Sequence, residues 1–104
     1  MNVIWHPRAE KAKDKIADYI RWHFGDKHME KFMMEVDETA RMLMHNPNVG
    51  SIDPLFVNRA KTYRSIIING LSKMVYYVAN DTIHIAAFWD TRREPKAQAE
   101  SVRE

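Results

Sequence analysis

The residues with the most chemical potential in this sequence are cations concentrated in one stretch. Residues 54–80 contain no Asp or Glu and carry four basic side chains: Arg59, Lys61, Arg64 and Lys73. The flanking segments 1–53 (8 basic, 9 acidic) and 81–104 (4 basic, 5 acidic) each sum to −1, so this local +4 is hidden in a net charge of +2. If the four side chains share one face, they form a positive patch suited to RNA or to an acidic protein partner. A solvated strand edge protected by charge is an equal alternative.

Histidine is the other residue type that could supply acid–base chemistry here. His84 could act as a general base, although a half-buried histidine in a hydrogen bond is the more common arrangement. His23 and His28 are five residues apart across a predicted helix break, and the sequence has no His-Glu-x-x-His motif, so we expect no metal site. The absence of cysteine excludes disulfides, thiolate zinc sites and a cysteine nucleophile. We expect no cofactor.

Length and composition indicate one folded domain. The chain has 104 residues, of which 45% are hydrophobic and 11% aromatic, enough to fill a core. The N-terminus lacks a basic region followed by an apolar one, and no charge-free apolar stretch approaches the ~20 residues of a membrane span. The sequence therefore predicts a cytoplasmic protein with one domain over residues 1–95. For the tail, 96–104, local propensity leaves a short helix and a mobile end equally open.

The first half of the chain predicts a strand and two helices. Asn2–Trp5 is a short β-branched and aromatic run, and Pro7 suits the first position of a helix. Gly25 can end this helix in a left-handed conformation, and Asp26 is expected to cap the next one. The second helix should stop near Asn46, before a proline. It presents one apolar stripe that predicts a core face: Met29, Phe32, Met33, Val36, Ala40 and Leu43.

The second half predicts three strands. The loop from Asn46 to Pro54 contains two prolines and a glycine and is expected to lack regular structure. Period-two alternation then favours strands over Tyr63–Asn69, Lys73–Ala79 and Thr82–Asp90, separated by tight turns. In the last strand, strict alternation puts two sets of side chains on opposite faces: Ile83, Ile85, Ala87 and Trp89 on one, and Thr82, His84, Ala86, Phe88 and Asp90 on the other.

The order of these elements predicts the fold class. We expect an α+β domain of order β-α-α-β-β-β, in which a helical hairpin packs on one face of a small antiparallel sheet. Within that sheet, the adjacent Tyr76 and Tyr77 must point to opposite sides. One of them can therefore line a groove while the other belongs to the core.

Several segments, taken in order, carry a family likeness. The opening strand leads through Trp5-His6-Pro7-Arg8-Ala9 into a helical hairpin. Arg59-Ala60-Lys61-Thr62-Tyr63-Arg64 enters the second strand, and Lys73-Met74-Val75-Tyr76-Tyr77-Val78 forms the third. The most specific stretch is Thr82-Ile83-His84-Ile85 followed by Phe88-Trp89-Asp90-Thr91-Arg92-Arg93-Glu94-Pro95. With this order and spacing, the chain resembles the RelE/ParE superfamily of toxins from type II toxin-antitoxin modules, which includes plasmid stabilization proteins.

This resemblance implies a small cytoplasmic toxin that is neutralised by a co-encoded antitoxin. RelE-like members cut mRNA in the ribosomal A site, whereas ParE-like members poison DNA gyrase and have no known nuclease activity. Our first hypothesis is a RelE-like, ribosome-dependent mRNA endoribonuclease. The alternatives are a ParE-like toxin that inhibits DNA gyrase or another protein, and a degenerate member that has lost toxicity.

The resemblance also implies functional positions. RNA cleavage without a metal needs a base for the 2′-OH, a cation for the phosphorane and an acid for the leaving 5′ oxygen. Lys73 lies where ribosome-dependent members usually carry a functional Arg, and Arg64 lies near the basic residue of the second strand. With Arg92 these two are the candidate catalytic residues. The candidates for binding RNA or antitoxin are Arg59, Lys61, Asp90 and Arg93.

The nuclease hypothesis requires that the candidate cations lie together, and it lacks support from one catalytic side chain. We expect Arg64, Lys73 and the Arg92–Arg93 pair to line a single cationic hollow. Ribosome-dependent members tend to use a Tyr or His near the end of the last strand, and here Phe88, Trp89 and Asp90 occupy that region. This departure is what keeps the gyrase and non-toxic alternatives open.

Overall fold

A computed structural model of the chain describes residues 1–91 and Val102. Arg92, Arg93 and all of the tail 96–104 except Val102 lie outside the described residues. The elements, in chain order, are β1 (Asn2–Trp5), α1 (Pro7–Phe24), α2 (Asp26–His45), β2 (Ser51–Ile52), a 3-10 turn (Pro54–Phe56), β3 (Arg64–Ile68), β4 (Ser72–Ala79) and β5 (Thr82–Asp90). No helix in the described part of the chain is both long and apolar enough to span a membrane.

The predicted α+β class and element order are confirmed, and the sheet is mixed. Its strand order is β1-β5-β4-β3-β2. β3, β4 and β5 form the expected antiparallel meander, with residues of positive φ in both turns. β1, however, pairs in parallel with β5, in the register Asn2↔Thr82 to Trp5↔Ile85. The expectation of a wholly antiparallel sheet is therefore wrong. Between β1 and the meander the chain crosses over through the two helices, and β5 then runs beside β1 in the same direction.

A single glycine joins the two helices. Gly25 has a φ of +93°, which other residues rarely adopt, and its N–H donates to the carbonyl of Arg21 at 3.0 Å. Gly25 is also the residue that precedes the first turn of α2. The expectation that Asp26 caps α2 is wrong, because Asp26 already belongs to the helix and no side-chain cap is formed. A one-residue link leaves no separate capping position.

The segment between α2 and β3 is more regular than its composition predicts. Residues 46–56, called the crossover segment below, include the two-residue strand β2, which pairs with β3 through Ser51↔Ser65 and Ile52↔Arg64. Asp53 then caps the 3-10 turn, with its Oδ1 accepting from the N–H of Leu55 at 3.0 Å. The expectation of an irregular loop is wrong here because Asp53-Pro54 acts as a helix-start signal for a single turn.

Both helices pack on one face of the sheet, called the helix side below. The main core joins residues from the helices and from the three long strands: Ala9, Ala17, Phe32, Val36, Leu43, Ile68, Met74, Tyr76, Ile83, Ile85 and Phe88. The opposite face, called the outer face below, has a smaller apolar cluster: Phe56, Tyr63, Val75, Ala87 and Val102. The 3-10 turn and Val102 therefore cover part of the outer face.

A β-bulge changes which side chains of β5 face the helices. Val75 pairs with Ala87 and Tyr76 pairs with Ile85, so Ala86 is an extra residue on β5. Beyond the bulge the alternation is inverted, and Phe88 joins the core on the same side as Ile85. The predicted grouping of Phe88 with His84, and of Ala87 with Ile85, is therefore wrong. Local alternation carries no signal for an inserted residue.

Candidate functional site

Lys73 lies on the outer face, where it neutralises a buried carboxylate. Its Nζ is 2.8 Å from Oδ2 of Asp53, and the Asp53 side chain is only 2% exposed. The ammonium also lies 6.0 Å from the ring centroid of Phe56. Because the other oxygen of Asp53 caps the 3-10 turn, this ion pair ties the crossover segment to β4. The positive charge of Lys73 is therefore neutralised within the fold by Asp53.

Arg64 lies on the helix side, where it binds an earlier part of the same segment. It pairs with Tyr76 across β3 and β4, so the two side chains share a face. Its Nη1 donates to the carbonyl oxygen of Gly50 at 2.8 Å and to that of Asn48 at 3.3 Å. Arg64 therefore satisfies backbone acceptors of the crossover segment in this structure.

Tyr76 completes the anchoring of the crossover segment from the core. Its hydroxyl donates to the carbonyl of Pro47 at 2.7 Å and accepts from the N–H of Gly50 at 3.0 Å. Burial raises the pKa of the Tyr76 phenol, with the Gly50 N–H and the nearby Arg64 charge acting in the opposite direction. The phenol is thus a neutral structural hydrogen-bonding group. One of the two adjacent tyrosines, Tyr76, belongs to the core, as predicted.

Gly50 lies in tight contact with Tyr76 and with the backbone of β3. A Cβ atom at this position would lie 2.7 Å from the Tyr76 hydroxyl and 2.9 Å from the carbonyl oxygen of Ser65. Both distances are shorter than real Cβ contacts. Only glycine therefore fits between Tyr76 and β3 without displacing one of them.

The predicted hollow shared by Arg64 and Lys73 is not formed. Arg64 pairs with Tyr76 and Lys73 pairs with Ile67, so the two positions are three residues apart along the ladder. Successive residues of a strand point to opposite faces, which puts the two cations on opposite sides of the sheet. Arg92 and Arg93, the other expected members, lie outside the described residues. The catalytic roles of Arg64, Lys73 and Arg92 stay predictions.

Two further predicted cations contact aromatic rings on the outer face. The guanidinium of Arg59 lies 5.3 Å from the ring centroid of Phe56 and donates to the carbonyl oxygen of Val102. The ammonium of Lys61 lies 5.1 Å from the ring centroid of Tyr77. Both distances are within the range of cation–π attraction. With Lys73, three of the four cations of residues 54–80 lie on the outer face, while Arg64 lies on the helix side, so the four do not share one face.

A row of rings crosses the outer face beside these cations. Tyr77 stacks on His84 with ring centroids 4.7 Å apart and an interplanar angle of 6°, and it meets Tyr63 edge-on at 5.4 Å. His84 is half-buried, as expected. Asp90, the predicted acidic binding residue, ends β5 opposite Ser72. Its binding role and that of Arg93 stay predictions.

Sequence reasoning missed Asp53, Gly50 and Phe56, which organise the site. Asp53 stood in a segment assumed to be irregular, although its place directly before Pro54 is a capping signal. Nothing local marks Gly50 as a contact of Tyr76, since the two are 26 residues apart. Within residues 1–91 and Val102 there is no group of three or more potential metal ligands.

Comparisons with known proteins identify the family. The family model described as the ParE toxin of the type II toxin-antitoxin system parDE matches residues 3–95. Among solved structures, the chain is similar to a chain from a chromosomal ParDE system of P. aeruginosa, with 19% identity and a TM-score of 0.70. That match covers 86% of this chain and 95% of the other, and at this identity it shows the fold alone. A search of curated protein sequences gives no significant match. Because the model spans nearly the whole chain, this protein belongs to the ParE toxin family of type II toxin-antitoxin systems, within the RelE/ParE superfamily.

Proposed function

We propose that this ParE-family toxin acts in the cytoplasm by binding a protein target, with DNA gyrase as the first candidate, and that it does not cut RNA. The observation that carries the proposal is the ion pair between Lys73 and the buried Asp53. This conclusion replaces the endoribonuclease as the preferred function and adopts the alternative that the family match favours.

Phosphorane stabilisation needs a cation that is available to the reacting phosphate. Lys73 is the candidate for that role, and its ammonium is 2.8 Å from the carboxylate of Asp53. Moving the ammonium to a phosphate would leave Asp53 buried and unpaired, which costs several kcal/mol. It would also bring an RNA phosphate close to a carboxylate of the same sign. The pair is therefore better suited to a structural role than to catalysis.

The second candidate cation cannot compensate for Lys73. Arg64 reaches the carbonyls of Asn48 and Gly50 on the helix side, while Lys73 is on the outer face. A single phosphate cannot contact both side chains through the sheet. This separation is a second reason to favour protein binding over RNA cleavage.

The outer face supports the partner part of the proposal. Arg59 and Lys61 extend over Phe56 and Tyr77, and both belong to the sequence segment 54–80, which contains no acid. A surface that combines positive charge with aromatic rings complements an acidic peptide segment. We therefore propose that the cognate antitoxin binds the outer face through acidic side chains. Membership of a toxin-antitoxin family implies that such a partner exists.

Induced expression of the chain without its antitoxin tests the mechanism. We expect growth arrest, activation of a DNA-damage reporter, and full-length transcripts in primer-extension analysis of several mRNAs. In parallel, the purified toxin should inhibit supercoiling by DNA gyrase in a reaction without ribosomes. The matched variant is Lys73→Arg, which keeps the ion pair with Asp53 and should keep toxicity.

The same experiment separates the other two functions. Transcripts cut at codon boundaries, with gyrase unaffected, would overturn the proposal and favour the endoribonuclease. Normal growth at a toxin level confirmed by immunoblot would indicate a non-toxic member. Arrest with intact RNA and active gyrase would retain protein binding but exclude gyrase as the target.

A further inference from the structure

The turn between β3 and β4 contains the only Asn-Gly pair in the sequence, Asn69-Gly70. Both residues have a positive φ, +55° and +68°, and the N–H of Leu71 closes the turn on the carbonyl of Ile68 at 3.2 Å. Asn-Gly suits such a turn because both residues adopt this conformation readily. The same pair also holds a side-chain amide carbonyl and a backbone nitrogen that can react with each other.

The two reacting groups are exposed and unrestrained. Asn69 and Gly70 both lie at the surface, and among the described residues neither the carboxamide of Asn69 nor the N–H of Gly70 forms a hydrogen bond. A Cβ atom at Gly70 would meet no described atom within 4 Å beyond the adjacent residues, so the space beside its nitrogen is open. The nitrogen can therefore reach the side-chain carbonyl carbon when the exposed turn opens locally.

We propose that Asn69 is a site of spontaneous deamidation. The Gly70 nitrogen gives its proton to solvent hydroxide and forms a bond to Cγ of Asn69. The bond between Cγ and the side-chain nitrogen breaks, and this nitrogen takes up a proton and leaves as ammonia. Water then opens the cyclic succinimide at either carbonyl, which leaves aspartate or isoaspartate at position 69. No atom is oxidised or reduced, the solvent supplies all co-reactants, and the reaction does not depend on the target of the toxin.

Either product changes the hairpin formed by β3 and β4. Both place a negative charge in residues 54–80, a segment that contains no acid. Isoaspartate also routes the main chain through the side-chain carbon, which adds a methylene to the short turn between the paired residues Ile68 and Ser72. Because the turn fixes the register of the two strands, we expect isoaspartate to loosen the hairpin that carries Arg64 and Lys73.

The turn between β4 and β5 provides an internal control. Asn80 also has a positive φ, +53°, and is also exposed. The residue after it is Asp81, which has a side chain beside the attacking nitrogen, whereas Gly70 has none. A difference in rate between the two asparagines therefore measures the effect of the glycine in one molecule.

Mass spectrometry of the full-length chain, kept folded at mildly alkaline pH, is the direct test. We expect a mass increase of about 1 Da that maps to Asn69 and appears at least about tenfold faster than at Asn80. Protein isoaspartyl methyltransferase should label the same peptide. The rate should rise with pH, because the attacking nitrogen must first lose its proton.

Two reciprocal variants separate the effect of the glycine from that of the turn. Gly70→Asp gives the first turn the Asn-Asp pair of the second and should slow the modification of Asn69 to the rate seen at Asn80. Asp81→Gly should make Asn80 react at the rate of Asn69. Unchanged circular dichroism of both variants would exclude misfolding as the cause. A folded chain in which Asn69 stays unmodified would overturn the inference, as would equal rates at the two asparagines of the wild type.

Thermal denaturation tests the effect on the hairpin. The isoaspartyl form, separated by anion exchange, should unfold at a lower temperature than Asn69→Asp, which adds the charge without the extra methylene. Equal midpoints would contradict the expected loosening of the hairpin.

Discussion

Arg64 and Lys73 hold consecutive parts of the crossover segment from opposite faces of the sheet. Arg64 Nη1 lies 2.8 Å from the carbonyl oxygen of Gly50, and Lys73 Nζ lies 2.8 Å from a carboxylate oxygen of Asp53. Both basic residues predicted to contact phosphate thus bind groups of their own chain: Lys73 neutralises the Asp53 carboxylate, and Arg64 donates to the Gly50 carbonyl. A loss of toxicity in variants of either residue must therefore be compared with the loss of stability.

The Lys73–Asp53 pair is expected to contribute strongly to stability. In Lys73→Met, the carboxylate of Asp53 loses its partner while it is only 2% exposed. Breaking a buried pair in this way typically costs about 3–5 kcal/mol. Urea denaturation followed by circular dichroism should show this loss as a lower midpoint with a similar slope.

A double variant provides the control for this prediction. Asp53→Asn combined with Lys73→Met removes the buried charge but keeps a side-chain oxygen for the N–H of Leu55. We expect the double variant to recover much of the stability lost in Lys73→Met. If Lys73→Met were as stable as the wild type, the ion pair with Lys73 would not hold Asp53 in solution.

The hydroxyl of Tyr76 is expected to stabilise the crossover segment. Tyr76→Phe leaves the N–H of Gly50 and the carbonyl of Pro47 without their common partner. Unsatisfied groups of this kind cost about 1–3 kcal/mol each when they stay buried. Equilibrium unfolding measures the loss, and hydrogen exchange should show faster exchange of the Gly50 amide. Tyr19→Phe, which alters an exposed hydroxyl, should change neither.

The same phenol predicts a loss of stability in alkaline solution. Its pKa is raised in the folded state by burial, so the unfolded chain releases the proton at a lower pH than the native protein does. The free energy of unfolding should therefore be unaffected by Tyr76 below about pH 10 and should fall as pH rises above it. Tyr76→Phe should reduce this slope. An identical slope in the two proteins would contradict the prediction.

Gly50 is expected to tolerate no side chain. In Gly50→Ala the new Cβ would meet the Tyr76 hydroxyl at 2.7 Å and the Ser65 carbonyl at 2.9 Å, so Tyr76 or β3 must shift. Overpacking of this kind costs about 1–3 kcal/mol. Thermal denaturation should show a lower midpoint for Gly50→Ala, whereas the exposed neighbour Ser51→Ala should differ little from the wild type.

The bulge in β5 makes a prediction about Phe88. Strict alternation would direct this ring away from the helices, yet it packs with Phe32 and Trp5 at centroid distances of 6.0 Å. Phe88→Ala should therefore cost about 3–5 kcal/mol, as expected for a buried aromatic residue. Ile67→Ala, at an exposed position of β3, is the control and should cost well under half as much. Equal losses would indicate that β5 is not bulged.

Family membership and fold class followed from order and spacing along the chain. The helical hairpin is encoded by three- and four-residue apolar steps with Gly25 between the helices, and the meander by period-two strands with tight turns. These signals are local, because a helix or hairpin satisfies its backbone hydrogen bonds among nearby residues. The positive charge of residues 54–80 is a matter of composition, and it could likewise be counted from the sequence alone.

Only the tertiary structure determines which face each cation occupies and whether its charge is neutralised within the chain. Whether Lys73 stays available to a phosphate depends on Asp53, which lies 20 positions earlier in a segment without a clear pattern. Which face Arg64 occupies depends on the pairing register of β3 with β4. The position of Phe88 depends on one extra residue, Ala86, in the β5 ladder. The sequence determined the types of element and the family, whereas long-range pairing determined which charges are neutralised, because burial and register exist only once distant segments meet.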